Sequence, residues 1–208
     1  MSFLDIPAPH GRLEALRLQP EQPIAAALVC HPHPQYGGTM HNHVTYRLAQ
    51  AFKNGGVAAL RFNFRGVGRS TGAYDEGRGE LEDAKAAFAF LSEHFRGLPL
   101  YAAGFSFGCR VALQLASQEP AVKAVLAVGL AVRLFDFEFA KRVRQPKAVI
   151  QSERDEYGSL DEVNALVAQM SPPKKLFIVP GADHLCTGQL KSFERVAAEA
   201  VSWILATD

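Results

Sequence analysis

The chain has 208 residues, of which 48% are hydrophobic and 21% are charged, and its formal net charge at pH 7 is +1. A chain of this length and composition can bury one sizeable core, so we expect a single domain over residues 1–208. The near-neutral charge excludes a disordered or polyanion-binding chain, and nucleic acid is therefore not an expected partner.

Targeting signals and cysteine usage indicate where the protein works. The first residues, MSFLDIPAPHGRLEAL, lack a basic start and an apolar run, and the apolar runs elsewhere are far shorter than a membrane span. We therefore expect no export and no membrane partner. The three cysteines, Cys30, Cys109 and Cys186, form no C-x-x-C pair and are too few for a disulfide framework. These features favour the cytoplasm, with Cys109 and Cys186 as packing residues.

Short apolar runs alternate with stretches of helical periodicity along the whole chain. The predicted strands are Ile24–Cys30, Val57–Phe62, Leu100–Gly104, Val122–Val128, Ala148–Gln151 and Leu176–Val179, with Leu13–Leu18 as a candidate antiparallel edge. The predicted helices are Asn42–Asn54, Leu81–Phe95, Phe107–Ser117, Leu160–Gln169 and Leu190–Leu205. This order is typical of β-α units stacked into a mostly parallel sheet.

The pentapeptide GFSFG at residues 104–108 matches the G-x-S-x-G nucleophile elbow, in which a strand turns sharply into a helix. Ser106 lies between a predicted strand and a predicted helix, which is the context that the motif requires. A side chain at Gly104 or Gly108 would collide with the neighbouring strand or helix. Because a serine hydroxyl is a weak nucleophile at neutral pH, a histidine and an acid should follow downstream.

Two loops downstream supply these partners. Asp155 follows the strand KAVIQ and His184 follows the strand KLFIV, and ligands of open α/β sheets bind at these carboxyl ends. The order serine, aspartate, histidine is the one expected for α/β-hydrolases. The alternatives are a solvated loop carboxylate or helix cap at Asp155 and an exposed loop histidine at His184. Three neighbouring acidic residues are rivals for the aspartate: Glu153, Glu156 and Asp161.

An oxyanion hole needs two backbone N–H groups aimed at the developing negative charge. Phe107, directly after the serine, supplies one. The second should come from the loop HPHPQYGGTMHNH, in which Pro32 and Pro34 have no N–H. The candidates are His33, Gln35, Tyr36 and a following glycine, of which Tyr36 and Gln35 are favoured.

The segments VCHPHPQYGGTMHNHV, LRFNFRGVGRSTG, AGFSFG and GADH, with the aspartate loop, together resemble the small, lidless α/β-hydrolases related to dienelactone hydrolases. The resemblance implies an α/β-hydrolase fold with a twisted, mostly parallel sheet, helices on both faces and no lid domain. It assigns the oxyanion loop to HPHP and GGTM, and the triad to Ser106, Asp155 and His184. The chain departs from the family at Ser152, where many relatives have glycine, and at Leu185-Cys186, where aromatic residues are common.

Two sequence features resemble motifs of other functions, and each is incomplete. The H-x-H pairs His31/His33 and His41/His43 suggest a metal-dependent hydrolase, but no carboxylate or cysteine continues the pattern. The segment GVGRSTG lacks the lysine of a phosphate-binding loop. A non-catalytic binding protein on a hydrolase scaffold is the remaining alternative, since fold does not imply function. We expect neither a metal nor a cofactor.

The segment GLAVRLFDFEFAKRVRQP, residues 129–146, lies where larger hydrolases insert a helical lid and is too short for one. An open, shallow pocket suits small or short-acyl esters. The alternating Phe135, Phe137 and Phe139 are interpreted as core residues, with an acyl pocket as the alternative. The sequence thus predicts a carboxylesterase-type serine hydrolase acting on a small-molecule ester through an acyl-enzyme, with thioesters, lactones and amides left open.

Overall fold

The computed structural model describes residues 2–207, within which eight strands form one sheet and five α-helices flank it. The strands are β1 (Ser2–Ala8), β2 (Gly11–Leu18), β3 (Ala25–Cys30), β4 (Val57–Phe62), β5 (Leu100–Phe105), β6 (Val122–Val128), β7 (Lys147–Ser152) and β8 (Lys174–Val179). The helices are α1 (His43–Asn54), α2 (Arg78–His94), α3 (Phe107–Gln118), α4 (Leu160–Gln169) and α5 (Leu190–Thr207). Short 3-10 helices cover Pro34–Tyr36 and Glu138–Arg142.

The sheet runs in the order β1-β2-β4-β3-β5-β6-β7-β8. Strand β2 pairs antiparallel with β1 and β4, whereas all pairs from β4 to β8 are parallel. The predicted mostly parallel sheet is confirmed. The predicted edge strand is antiparallel but does not form the edge, because β1 pairs outside it. Pro7 is tolerated in β1 because an edge strand can leave one residue without an N–H donor.

Helices cover both faces of the sheet, as the sequence predicted. The residues of α2, α3 and α4 pack in one core cluster, and those of α1 and α5 pack in another. Successive residues of a central strand point to opposite clusters: in β5, Ala102 joins the first and Ala103 the second. Burial on both faces explains why these strands read as continuous apolar runs.

Side-chain hydrogen bonds set where α1 and α2 begin. Asn42 accepts hydrogen bonds from two backbone N–H groups of the first turn and therefore precedes α1 as its cap. Helix α2 begins at Arg78, three residues before the predicted Leu81. The carboxylate of Glu80, which is buried, accepts the N–H of Gly77 at 2.7 Å and extends the helix toward its N-terminus.

The parallel strands place their following loops at one edge of the sheet. Since β3 to β8 all run in the same direction, the turns after β3, β5, β7 and β8 meet there. The connection from β6 to β7 contains only the 3-10 helix Glu138–Arg142, so the fold has no lid domain at the usual place. Over residues 2–207, none of the helices combines the length and apolar character needed to cross a membrane.

Candidate active site

Ser106 occupies the turn between β5 and α3 in a conformation that side-chain-bearing residues rarely adopt. Its φ is 55° and its ψ is −120°. Its N–H donates to the carbonyl of Val128 at the end of β6, at 2.8 Å, which fixes the turn against the sheet. Backbone strain of this kind costs about 1–3 kcal/mol and persists where the surrounding structure enforces it.

The two glycines of the motif are required by close backbone approaches. A Cβ on Gly104 would overlap the carbonyl of Gly108, the second residue of α3. A Cβ on Gly108 would overlap the carbonyls of Cys30 and His31 at the end of β3. The contacting atoms belong to the backbone, so no side-chain movement could relieve either overlap.

The structure brings together the three residues that the sequence singled out. The Oγ of Ser106 lies 2.9 Å from Nε2 of His184, and Nδ1 of His184 lies 2.8 Å from Oδ2 of Asp155. The three residues are 4–7% exposed and come from the loops after β5, β8 and β7. With Nδ1–H donating to the carboxylate, Nε2 is free to accept the serine hydroxyl proton.

Three donors hold the carboxylate of Asp155. Oδ2 accepts Nδ1–H of His184 and an Nε2–H of Gln151 at 3.0 Å, and Oδ1 accepts the backbone N–H of Tyr157 at 2.9 Å. The side chain of Gln151 also donates to the carbonyl of Gly158, at 2.8 Å. Sequence reasoning missed Gln151, although an amide at the end of an apolar strand, where burial demands partners, is a usable signal.

The three rival carboxylates occupy other places. Glu156 accepts the backbone N–H of His184 at 3.2 Å and so supports the histidine loop without reaching the imidazole through that contact. Glu153 accepts the N–H of Gly181 at 2.6 Å, and Asp161 lies exposed in the first turn of α4. The geometry therefore favours Asp155 as the partner of the imidazole.

Glycine at the end of β6 leaves room for the imidazole. A Cβ on Gly129, whose φ is 63°, would lie 3.2 Å from Cε1 of His184 and 2.9 Å from a ring carbon of Phe105. The ring centroid of His184 lies 5.0 Å from that of Phe105 and 4.9 Å from that of Tyr157. Packing thus restricts the ring to the orientation that points Nε2 at Ser106.

The predicted oxyanion donors have different outcomes. Phe107 begins α3, and its N–H has no acceptor within residues 2–207. The N–H of Tyr36 donates to the carbonyl of His33, and that of Gln35 donates to Nδ1 of the same residue, each at 3.2 Å. Because both groups are engaged inside the loop, the structure argues against the predicted role of Tyr36 and Gln35.

Comparisons with known proteins agree with this geometry. The model of a family described as the alpha/beta hydrolase domain matches residues 26–202. The chain belongs to the α/β-hydrolase family. An uncharacterized protein of Rickettsia prowazekii is 36% identical over 199 residues, which cover 90% of this chain and 83% of that protein.

Solved structures place this hydrolase among lidless serine hydrolases. An alpha-beta serine hydrolase homologue from Coxiella burnetii is 34% identical, with a TM-score of 0.88 over 95% of this chain and 96% of that one. A serine hydrolase without a lid from Xanthomonas campestris is 29% identical, with a TM-score of 0.88 over 97% and 94%. Est1E from Butyrivibrio proteoclasticus, solved with bound ferulic acid, is only 17% identical and shares the fold at a TM-score of 0.85 over 98% of this chain and 99% of that one.

The end of β4 clamps the loop after β3 in the hydrolase. Nη1 of Arg61 donates to the carbonyl of Met40 at 2.6 Å, and Oδ1 of Asn63 accepts the N–H of Met40 at 2.8 Å. Nε2 of His31 accepts the N–H of Phe64 at 3.0 Å. Burial lowers the pKa of His31 to about 4, so its ring is neutral at pH 7 and keeps this acceptor. Both ends of the loop are therefore fixed to the last residues of β4 or to the two residues that follow it.

In the H-x-H pairs of the hydrolase, the imidazoles of His31, His33 and His43 make hydrogen bonds within the protein. His31 donates from Nδ1 to the carbonyl of Pro32 at 2.6 Å, so both its nitrogens are engaged. Nδ1 of His33 accepts a backbone N–H, and its Nε2 lies 3.1 Å from the hydroxyl of Tyr74. His43 bonds the carbonyl of Leu185 at 2.8 Å. Within residues 2–207, no group of three or more histidine, cysteine, aspartate and glutamate side chains is arranged to hold a metal ion.

The cysteines of the hydrolase are free and buried. Burial raises the pKa of the Cys30 and Cys109 thiols far above the usual range, so neither forms a thiolate at neutral pH. The Sγ of Cys186 lies 3.6 Å from Oγ of Ser152, and burial raises the pKa of this thiol as well. These environments fit the predicted packing role of Cys109 and Cys186.

A cleft of about 540 Å³ opens above the triad. Its lining residues are Pro32, His33, Tyr36, Gly37, Gly38, Asn42, Phe105, Ser106, Leu134, Phe135, Glu156, Tyr157, His184 and Leu185. Of the three alternating phenylalanines, Phe137 is buried as predicted, whereas Phe135 is half-buried and lines the cleft. Phe135 is therefore available to contact a substrate.

Proposed function

We propose that this hydrolase is a serine esterase that cleaves small-molecule esters through an acyl-enzyme intermediate. The observation that supports this most directly is the hydrogen-bonded chain from Asp155 through His184 to Ser106, set at the base of an open cleft. A binding protein has no need of a proton relay that ends on a strained serine.

The proposed first half-reaction uses the three side chains in turn. Ser106 Oγ attacks the ester carbonyl carbon while Nε2 of His184 removes the hydroxyl proton. Asp155 keeps Nδ1 of His184 protonated and stabilises the imidazolium that forms. His184 then protonates the departing alkoxide, so the alcohol leaves and an acyl group remains on the serine oxygen.

The second half-reaction repeats the sequence with water. His184 takes a proton from water as the water attacks the acyl carbonyl, and the proton returns to Ser106 Oγ when the acid leaves. Besides the ester and water, the steps use only groups of the chain itself and require neither metal nor cofactor. Three unpaired, buried cysteines support a proposed location in a reducing compartment such as the cytoplasm.

We assign the second oxyanion donor to His33. Its N–H lies between two prolines and has no acceptor within the described residues, and the residue lines the cleft. The His33 ring lies 5.0 Å from that of Phe107, whose N–H is the first donor. In enzymes with an oxyanion hole, removing one such donor costs about 3–4 kcal/mol of transition-state stabilisation.

A fluorophosphonate probe tests the proposed function. The probe should label the wild-type protein and should not label Ser106→Ala, with circular dichroism confirming that both are folded. Ser152→Ala is the matched control, because Ser152 is also buried but its hydroxyl contacts the Sγ of Cys186 and not an imidazole. Labelling of Ser152→Ala should persist. Folded wild type that takes no label and hydrolyses no p-nitrophenyl ester would establish a binding protein instead.

A further inference from the structure

Exposed apolar side chains are concentrated around the cleft. Seven large hydrophobic residues are exposed in the described part of the chain: Ile24, Tyr36, Tyr46, Leu134, Tyr157, Ile178 and Leu185. Four of them line the cleft, with Tyr36 at 86%, Leu134 at 56%, Leu185 at 45% and Tyr157 at 38% exposure. Scattered exposed apolar residues need no explanation, but a cluster around a concave site indicates an apolar ligand.

On one side of the cleft the aromatic rings are continuous. The ring of His33 lies 4.7 Å from that of Tyr36, and 6.2 Å from that of Phe135 with an angle of 12° between the planes. We call these three residues the aromatic shelf. The shelf adjoins Phe107, the first residue of α3, through the 5.0 Å contact with His33. Such ring faces are suited to stacking against a further aromatic group.

The other side of the cleft belongs to the histidine loop. The ring of Tyr157 lies 4.9 Å from that of His184, and Leu185 is the next residue in the chain. Because His184 must protonate the leaving alcohol, the alcohol lies on this side. The acyl group is then left to face the aromatic shelf.

The charge of the cleft is one-sided. Apart from the histidines and two tyrosines, Glu156 is the one ionisable residue among those that line the cleft, and no lysine or arginine is among them. A substrate carboxylate bound in the cleft would lose part of its hydration without gaining a cationic partner, and it would be repelled by the negative charge of Glu156. An uncharged acyl group loses no charge hydration and is not repelled.

We propose that the cleft selects uncharged esters whose acyl group carries an aromatic ring, with that ring stacked on the aromatic shelf. The inference rests on the serine-esterase function proposed above and adds the substrate class to it. Tyr36 and Phe135 are the residues that determine acyl preference. Glu156, which accepts the backbone N–H of His184 on the other side of the cleft, disfavours anionic substrates through its negative charge.

Acyl preference is measured with p-nitrophenyl esters, which keep the leaving group constant. The informative pair is phenylacetate and cyclohexylacetate, because the two acyl groups are similar in size and only one is aromatic. We expect kcat/KM to favour phenylacetate by about tenfold, the upper range of an aromatic pair contact. The monoester of glutarate should be turned over at least tenfold less efficiently than valerate, its uncharged counterpart.

Variants test which residues carry the preference. Tyr36→Ala should reduce the phenylacetate to cyclohexylacetate ratio of kcat/KM toward one. Glu156→Gln should narrow the gap between valerate and the glutarate monoester. Ile178→Ala is the control, because Ile178 is similarly exposed but lies on β8 away from the lining residues. Its ratios should equal those of wild type.

The outcomes separate this inference from the proposed function. Fluorophosphonate labelling with equal turnover of the phenyl and cyclohexyl esters would overturn the aromatic selectivity and leave the esterase intact. A ratio unchanged in Tyr36→Ala would overturn the role of the shelf. Activity that appears only when esters form micelles would show that the exposed residues bind a lipid surface, and would overturn the inference too. No labelling and no turnover would refute the proposed function itself.

Discussion

Replacing Asp155 by asparagine removes one of the two acceptor atoms that its three donors require. The donors are Nδ1–H of His184, Nε2–H of Gln151 and the backbone N–H of Tyr157. If the asparagine NH2 faces His184, Nδ1 becomes an acceptor, and the proton moves to Nε2, which can then no longer accept from Ser106. If the NH2 faces Tyr157 instead, it opposes the backbone N–H of Tyr157, which is also a donor. In this orientation the His184 imidazolium loses the negative charge of the carboxylate.

Either orientation should reduce kcat on a p-nitrophenyl ester by about 10³–10⁴, equivalent to about 4–5.5 kcal/mol of transition-state stabilisation. KM should change little, because the carboxylate lies behind the imidazole and does not line the cleft. Asp161→Asn is the control and should keep wild-type kinetics, since Asp161 is exposed on α4. If Asp155→Asn keeps kcat within tenfold of wild type while folded, Asp155 does not orient the histidine.

Three further predictions concern the surroundings of the triad. Gln151→Leu leaves the buried N–H of Leu130 and the buried carbonyl of Gly158 without partners. Urea denaturation should show a loss of about 2–5 kcal/mol in the free energy of unfolding. An unchanged denaturation midpoint would contradict these two hydrogen bonds. Gly108→Ala forces a Cβ into the carbonyl of Cys30, so soluble yield and Tm should fall, with near wild-type values contradicting the close approach. The pKa of His31 is lowered from 6.5 to about 4 in the folded state, whereas in the unfolded chain its imidazole takes up a proton below pH 6.5. The free energy of unfolding should therefore fall by roughly 3 kcal/mol between pH 6.5 and pH 4. His31→Asn should make the free energy of unfolding less dependent on pH over this range.

The central strands could be predicted closely because they are buried on both faces. Val57–Phe62 and Val122–Val128 are confirmed residue for residue, since each is apolar apart from one charged residue, Arg61 or Lys123. Strand β1 was missed because Asp5 and Pro7, which are exposed, interrupt its apolar pattern, and over residues 4–8 only Ile6 is fully buried. A one-sided edge strand gives too weak a signal to separate from a loop.

The candidate site was predictable where residue type alone limits the chemistry. A serine in an elbow, followed by an acid and a histidine after later strands, leaves few other arrangements. The oxyanion loop was not predictable in the same way. Sequence shows that Gln35 and Tyr36 have N–H groups, but not that the neighbouring His33 accepts both. Such choices depend on local backbone geometry, which residue identity does not specify.

The backbone conformation of Ser106 bears on why this residue is serine. Glycine adopts a φ of 55° and a ψ of −120° with far less strain, so a glycine at this position would make the fold more stable by about 1 kcal/mol or more. A scaffold that served only to hold a ligand would gain from that exchange and lose nothing. Keeping a hydroxyl there at the expense of thermodynamic stability is the trade-off expected of a residue whose reactivity matters more than its contribution to folding.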